Sequence, residues 1–170
     1  ILVRLSYENL NQNAISISQS LSITRDDTPI TTLPMNYTYG LSIINSHLLN
    51  GCEIILTELS ILSKEFWDII NTKNVTTFGG VPYTYQMLKR LNFEKLNLNK
   101  ISKLTQAGGK LDSNLVKYFS EHANNKGIQF FVMYGQTEAT ARMSCLPAKD
   151  AMRKFGSIGL PIAKGEFFLI

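Results

Sequence analysis

The 170-residue sequence predicts an α/β fold, a mainly parallel, doubly wound sheet flanked by helices. Three observations carry this expectation. Short apolar runs alternate regularly with segments of helical periodicity. Glycine turns follow three of those runs, at Gly79-Gly80, Gly108-Gly109 and Gly135. A hydrophobic content of 44% with 18% charged residues describes a chain that buries a core rather than a disordered one. Ligands of doubly wound sheets sit beyond the carboxyl ends of the strands, so glycine turns along that edge mark where a site belongs.

The elements follow in order. Leu10, Ala14, Ile17 and Leu21 share a helical face, and Ser6 precedes them as N-cap, which predicts a helix from Ser6 to about Leu21. Asp26-Asp27-Thr28-Pro29 reads as a turn, and Ile30–Leu33 as a short strand entering a loop from Pro34 to Gly40. Leu41–Leu49 suits a buried helix stopped by Asn50-Gly51. Glu53–Leu56 is a strand, Ser63 caps a helix to about Thr72, and Val75–Phe78 is a strand ending in Gly79-Gly80. Pro82 opens a helix to Leu91, at a position where its missing N–H costs nothing. Ile101–Thr105 leads into Gly108-Gly109, and Asp112 caps a helix that stops near Gly127. Ile128–Met133 then feeds Tyr134-Gly135-Gln136-Thr137-Glu138. From Ala141 the pattern turns strand-like, so residues 1–140 read as the α/β portion and 141–170 as the start of a β-rich subdomain.

Composition narrows the function. The net charge of +4 comes from 17 basic and 13 acidic residues, with Lys64, Lys73, Lys89, Lys95, Lys103 and Lys117 spread out as solvated charges would be. No dense basic run and no recognisable module speaks for nucleic acid. Cys52 and Cys145 lie far apart without metal-ligand neighbours, which points to reduced thiols and a cytoplasmic location. No apolar stretch approaches the roughly 20 residues of a membrane span. No stretch of the sequence reads as a signal peptide. Phosphate-loop, dinucleotide, nucleophile-elbow and zinc-protease motifs are absent. His47 and His122 sit on expected helices without partners and read as structural or solvated; Trp67, Tyr83 and Tyr85 read as packing residues.

The pentapeptide after the last strand has site chemistry. Gly135 allows a sharp turn that presents backbone N–H groups. Thr137 can donate to a phosphate oxygen, Glu138 can ligate a hard cation, and the Tyr134 ring can lie against a base. A strand ending in a tight turn with an exposed acid is the plain alternative.

These residues do not stand alone. Tyr134–Glu138 resembles the Tyr-Gly-x-Thr-Glu motif of the adenylate-forming (AMP-binding) enzymes, the superfamily of acyl-CoA synthetases, luciferases and peptide-synthetase adenylation domains. Leu33-Pro34-Met35-Asn36-Tyr37-Thr38-Tyr39-Gly40-Leu41 resembles its upstream acyl-pocket motif, and Gln106-Ala107-Gly108-Gly109-Lys110-Leu111 its glycine turn beside adenine and ribose. Gly156-Ser157-Ile158-Gly159-Leu160-Pro161 resembles its downstream Gly-x-x-Gly-x-Pro segment. Leu5-Ser6-Tyr7-Glu8-Asn9-Leu10 resembles the Leu-Ser-His-x-Asn-Leu after its phosphate loop. Five motifs in register span nearly the whole chain.

The resemblance implies the central part of the large N-terminal domain. It implies ATP and Mg²⁺, a carboxylic acid substrate, fatty or other, and CoA or phosphopantetheine as acceptor, the latter on a possible acyl carrier protein. Thr137 would contact phosphate, Glu138 would ligate magnesium, and both would be catalytic. Gly108, Gly109, Tyr134, Gly135 and Gln136 would cradle the nucleotide, while Tyr37, Gly80, Val81 and Met133 would line the acyl pocket. Lys110 has no assigned role. Gln136 matches acyl-CoA synthetases better than peptide synthetases, where Pro is common. The family's phosphate-loop lysine would fall near Ile1, its ribose-binding Asp beyond Ile170, and its C-terminal lid domain outside the chain. Both ends therefore read as cut, the rest of the chain would be an obligatory partner, and the piece alone is expected to be inactive. A non-catalytic nucleotide-binding or scaffold fragment is the alternative, and an unrelated α/β domain with structural glycines the third reading.

Overall fold

The structure, a computed structural model, describes residues 2–169. Helix α1 (Tyr7–Leu21) begins where Ser6 Oγ accepts the Asn9 N–H at 3.0 Å and Asn9 Oδ1 accepts the Ser6 N–H, a reciprocal capping box. Strand β1 (Pro29–Thr31), helix α2 (Thr38–Leu48) and strand β2 (Ile55–Leu56) follow. Helix α3 (Lys64–Thr72) is capped by Ser63, as expected, and strand β3 spans Thr77–Gly80. Helix α4 (Pro82–Arg90), strand β4 (Lys103–Gln106), the Asp112-capped helix α5 (Ser113–Asn125) and strand β5 (Gln129–Tyr134) continue the alternation. Strand β6 (Ser144–Leu146), the short helix α6 (Ala148–Ala151) and strand β7 (Leu160–Pro161) close the described chain.

The strands form one sheet in the order β2-β1-β3-β4-β5-β6-β7. The first five are parallel, while β6 and β7 run antiparallel, so the expected parallel α/β sheet is present and its last two strands extend the same sheet. The register explains the layers. Ile55, Ile30, Phe78, Leu104 and Phe130 lie in one cross-strand row and pack on one face against α3, α4 and α5. Their neighbours along the strands point the other way, and Phe131 and Met133 meet Ile17 and Leu21 of α1 and Tyr39 and Ile43 of α2. On the first face, Tyr85 and Phe119 pack edge to face at 4.9 Å between ring centroids, and Phe93 closes on Phe119 at 5.0 Å. Tyr85 is thus core, as expected; Trp67 packs at the core's edge, whereas Tyr83 stands in solvent.

Two local expectations are corrected. Helix α2 begins at Thr38 inside the expected loop, because Gly40 lets its first turn lie against the Pro34 carbonyl; a Cβ there would sit 2.7 Å from that oxygen. Gly79 and Gly80 lie within β3 rather than in a turn after it. A Cβ on Gly79 would sit 2.7 Å from Ile43 Cδ1, so the residue lets α2 approach the sheet closely.

A third correction concerns charge. Lys103 is not a solvated lysine: it is 8% exposed and holds Asp27, 4% exposed, at 2.6 Å. Asp27 also accepts the Thr24 N–H at 2.9 Å and the Thr76 hydroxyl at 3.1 Å, and Lys103 donates to the Ser22 carbonyl. The turn expected at Asp26–Pro29 is therefore pinned to the sheet by a buried ion pair.

His47 is structural and buried rather than solvated. Its Nδ1 lies 2.8 Å from the Ile43 carbonyl, which can only accept, so Nδ1 carries the proton and the unpartnered Nε2 is a bare lone pair. Burial, reinforced by the Arg142 charge, lowers its pKa to about 4. The unfolded chain binds this proton near pH 6.5 and the folded one only near 4. The contribution is therefore complete above pH 6.5 and is lost as pH falls between those values, at about 1.4 kcal/mol per unit. Urea unfolding across pH 7 to 4 should show that slope in the wild type and its loss in His47→Gln.

Candidate active site

The carboxyl ends of β4 and β5 and the segment before β7 surround a cavity of about 560 Å³. Its walls come from three of the segments singled out in the sequence: Gln106 and Gly108–Leu111, then Met133–Gly135, then Gly156–Ile158. They are far apart in the chain and meet because β4 and β5 are parallel neighbours while β6 and β7 fold back antiparallel beside β5. Tyr134, 40% exposed, presents its ring at this wall. The volume lies within the about 300–1,000 Å³ typical of small-molecule sites.

A second, smaller cavity of about 70 Å³ adjoins it, and Gly108 and Gly135 line both. Its other walls include Tyr37, Thr38, Tyr39, Gln136, Thr137 and Arg142. The two shared glycines are sterically required. Gly108 has φ +77°, and a Cβ there would collide with the Tyr37 hydroxyl. A Cβ on Gly135 would run into the Ala141 carbonyl, because the loop returning from β5 lies directly on it. Gly135→Ala should therefore cost about 3 kcal/mol, at the upper end of overpacking effects. A drop of about 6–12 °C in thermal midpoint would show this.

Thr137 opens a short 3-10 turn (Thr137–Ala139), and its hydroxyl bonds that of Thr38 at 2.9 Å, tying the turn to the start of α2. Glu138, next to it, is exposed and has no ion-pair partner among the described residues. Met133 is buried and reaches the larger cavity. Val81 packs beside Gly108, with its Cγ1 3.1 Å from where a Cβ would stand. Gly109 lines the larger cavity, and Tyr37 and Gln136 the smaller. Gly80 lines neither; its Cα faces Thr84. Eight of the eleven sequence-derived residues thus line two joined cavities, while Val81, beside Gly108, and Glu138, next to Thr137, adjoin them and Gly80 lies behind.

Four neighbours were not anticipated. Gln106 is fully buried; its Nε2 donates to the Gly109 carbonyl at 2.8 Å and shapes the glycine turn, while its Oε1 has no partner. Tyr39 donates to the Thr105 carbonyl at 3.0 Å from one face of the sheet, as Tyr85 does at 2.8 Å from the other, fixing the end of β4. Burial raises the Tyr39 pKa, so it stays a donor. Thr38 steadies Thr137, and Arg142 is buried beside Tyr39. All four stand in or beside the quoted motifs, and only side-chain direction separates them from ordinary core residues.

The comparisons with known proteins agree with this geometry. The family model described as AMP-binding enzyme matches residues 2–170. The chain belongs to the AMP-binding enzymes. A 2-succinylbenzoate--CoA ligase of Bacillus cytotoxicus is 28% identical over 162 residues, covering 94% of this chain and 32% of the relative. A ligase of the same name from Listeria monocytogenes is 23% identical, covering 95% and 33%. This AMP-binding chain therefore spans about a third of the length of the curated relatives it matches. The o-succinylbenzoate coenzyme A synthetase of Bacillus subtilis in complex with ATP and magnesium ion superposes with a TM-score of 0.80 at 26% identity, covering 95% of this chain and 32% of that one. The N-terminal domain of FACL13 from Mycobacterium tuberculosis shares the fold, with a TM-score of 0.83 at 22% identity over 95% of this chain and 40% of that one. The AMP-binding fold and the family expected from the motifs are thus both present. Among the described residues no helix is long and apolar enough to cross a membrane.

Proposed function

We propose that the protein carrying this chain activates a carboxylic acid with ATP and passes the acyl group to a thiol. The supporting observation is the convergence of Gln106 and Gly108–Leu111, Met133–Gly135 and Gly156–Ile158 on one cavity of about 560 Å³, with Gln136 and Thr137 on the smaller cavity that adjoins it. The acid carboxylate attacks the α-phosphate of ATP, forming an acyl-adenylate and releasing pyrophosphate. The thiol of CoA, or of a carrier's phosphopantetheine, then displaces AMP. Gly108 and Gly109 leave room for the nucleotide's close approach, Tyr134 offers its ring to the base, and Gly135 and Gln136 border the phosphate side. Thr137, held by Thr38, is placed to donate to a phosphate oxygen. The unpartnered buried Oε1 of Gln106, on the cavity wall, fits an amino donor of a ligand.

Magnesium fits Glu138. Among the described residues no three metal-ligating side chains cluster, and a single exposed carboxylate suits an ion that takes its remaining ligands from phosphate and water. Bound there, the ion would offset negative charge on the phosphates. Tyr37, Val81 and Met133 form the acyl side, with Gly80 behind them. The lid domain, phosphate-loop lysine and ribose-binding acid of the family would come from other parts of the protein, so residues 1–170 alone are expected to lack turnover. Residues 1–140 serve as the nucleotide-binding α/β part and 141–170 lead into a β-rich subdomain. A cytoplasmic setting suits ATP and CoA.

ATP–pyrophosphate exchange by the complete reading frame, across aromatic acids including 2-succinylbenzoate and short to long aliphatic acids, tests this. Acid-dependent exchange is expected. A folded protein that binds ATP yet exchanges with no acid would favour the scaffold reading instead.

A further inference from the structure

Arg142 is 2% exposed, deep between α2 and the sheet. A guanidinium has five N–H donors and a permanent charge. Here Nε donates to Ser42 Oγ at 3.0 Å, one terminal nitrogen meets the Met133 sulfur at 3.2 Å, and the group lies 4.9 Å from the centre of the Tyr39 ring. The other terminal nitrogen, Nη2, has no partner. Among the described residues no carboxylate lies within ion-pair reach, and the one buried acid, Asp27, is already held by Lys103. A buried cation satisfied only by a hydroxyl, a thioether and a ring face is poorly compensated.

What the protein does not supply, the adjoining space can receive. Arg142 lines the cavity of about 70 Å³, well above the about 10–15 Å³ that a single water needs. That cavity shares Gly108 and Gly135 with the larger one, where the nucleotide is proposed to bind. Thr38, Thr137 and Gln136 add polar groups to a wall that also carries the Tyr37 ring, Ala107 and Ala141.

We propose that Arg142 is an anion-recognition point of the acyl pocket, so that the preferred substrate is a short acid carrying a second carboxylate distant from the one that is activated. The inference rests on the acid-activating reading above and deepens it. The second carboxylate remains unreacted and accepts from the free Nη2 of the guanidinium, a charge-assisted bond that the planar carboxylate suits. Burial lowers the proton affinity of Arg142, a trend that an adjacent anion would oppose. A monocarboxylic acid of the same length leaves the cation unpaired, and sites built for a polar group reject analogues that lack it.

The test is ATP–pyrophosphate exchange by the complete protein with matched acids: hexanoate against adipate, benzoate against isophthalate, and the monomethyl ester of each diacid. The wild type should prefer each favoured diacid by tenfold or more in kcat/KM, with the ester falling back to the monoacid. Arg142→Met should level each pair, and Arg142→Lys should retain part of the preference. Monoacids equal to or better than diacids in the wild type would overturn the inference while leaving acid activation intact. So would an Arg142→Met variant that slows both members of a pair alike, which is the mark of a structural role. If no acid supports exchange, the acid-activating reading fails separately. Titration calorimetry with adipate and isophthalate then decides: binding by the wild type that is lost in Arg142→Met sustains the anion site, and no binding refutes it.

Discussion

Replacing Lys103 with Met is expected to lower the unfolding free energy by about 3–5 kcal/mol, because Asp27 would be left buried and charged without its partner. Asp27→Ala should cost a similar amount by stranding the lysine. The double variant Asp27→Leu, Lys103→Met should recover much of the loss, since well-packed apolar replacements of buried pairs are often neutral. Urea midpoints of the four proteins, with unchanged slopes, measure this directly. Double-variant stability no better than the worse single variant would contradict it.

The pair also sets an acid limit. Burial alone would raise the Asp27 pKa, but the Lys103 hydrogen bond, the Thr24 N–H, the lysine charge and the Thr76 hydroxyl together outweigh it and hold the carboxyl below its ordinary 3.8. With the folded value depressed, the stabilisation is complete above pH 3.8 and is lost as pH falls through the lower folded value. His47 weakens the fold first, between pH 6.5 and about 4, and Asp27 follows below that. Acid unfolding should therefore come in two pH windows. Asp27→Asn should remove the lower one only.

The largest expected functional effect is at Glu138. Glu138→Ala in the complete protein should reduce acid-dependent exchange by about 100- to 1,000-fold, the range seen when one preorganised electrostatic group is removed from developing charge. Glu138 is exposed and unpaired among the described residues, so its removal should leave the thermal midpoint within about 2 °C, the effect of a surface change of about 0.5 kcal/mol. Glu138→Gln should raise the magnesium concentration for half-maximal exchange by about 10- to 100-fold, which a purely structural role would not do. Thr137→Ser should retain activity through its hydroxyl, and Thr137→Val should lose it. Unchanged exchange in Glu138→Ala would remove the residue from the mechanism.

Much of this was legible in the chain. Ser6, Ser63 and Asp112 cap the helices they precede because capping is a bond between a side chain and a backbone only two or three residues away. The apolar runs at Phe78, Leu104 and Phe130 are short, as parallel buried strands are, and they pair as such. Glycine turns after β4 and β5 mark a ligand edge because parallel strands deliver their carboxyl ends to one side. The motif residues from Tyr37 to Glu138 were likewise readable, since their spacing within each turn is local.

Other features came only with packing. Gly79 reads as a turn residue until α2 lies across it, and Lys103 reads as solvated until α1 and the Asp27 turn close over the sheet. Arg142 has an ordinary place in the sequence, four residues beyond Glu138, and nothing there says that it points inward between Tyr39, Ser42 and Met133. Local composition and periodicity dictate elements, caps and the family's motifs, because those depend on neighbours along the chain. The burial of a charge, the pairing of Asp27 with a lysine 76 positions away and the cavity beside Arg142 depend on which faces meet in space. That is decided by the summed packing of the whole sheet and its helices.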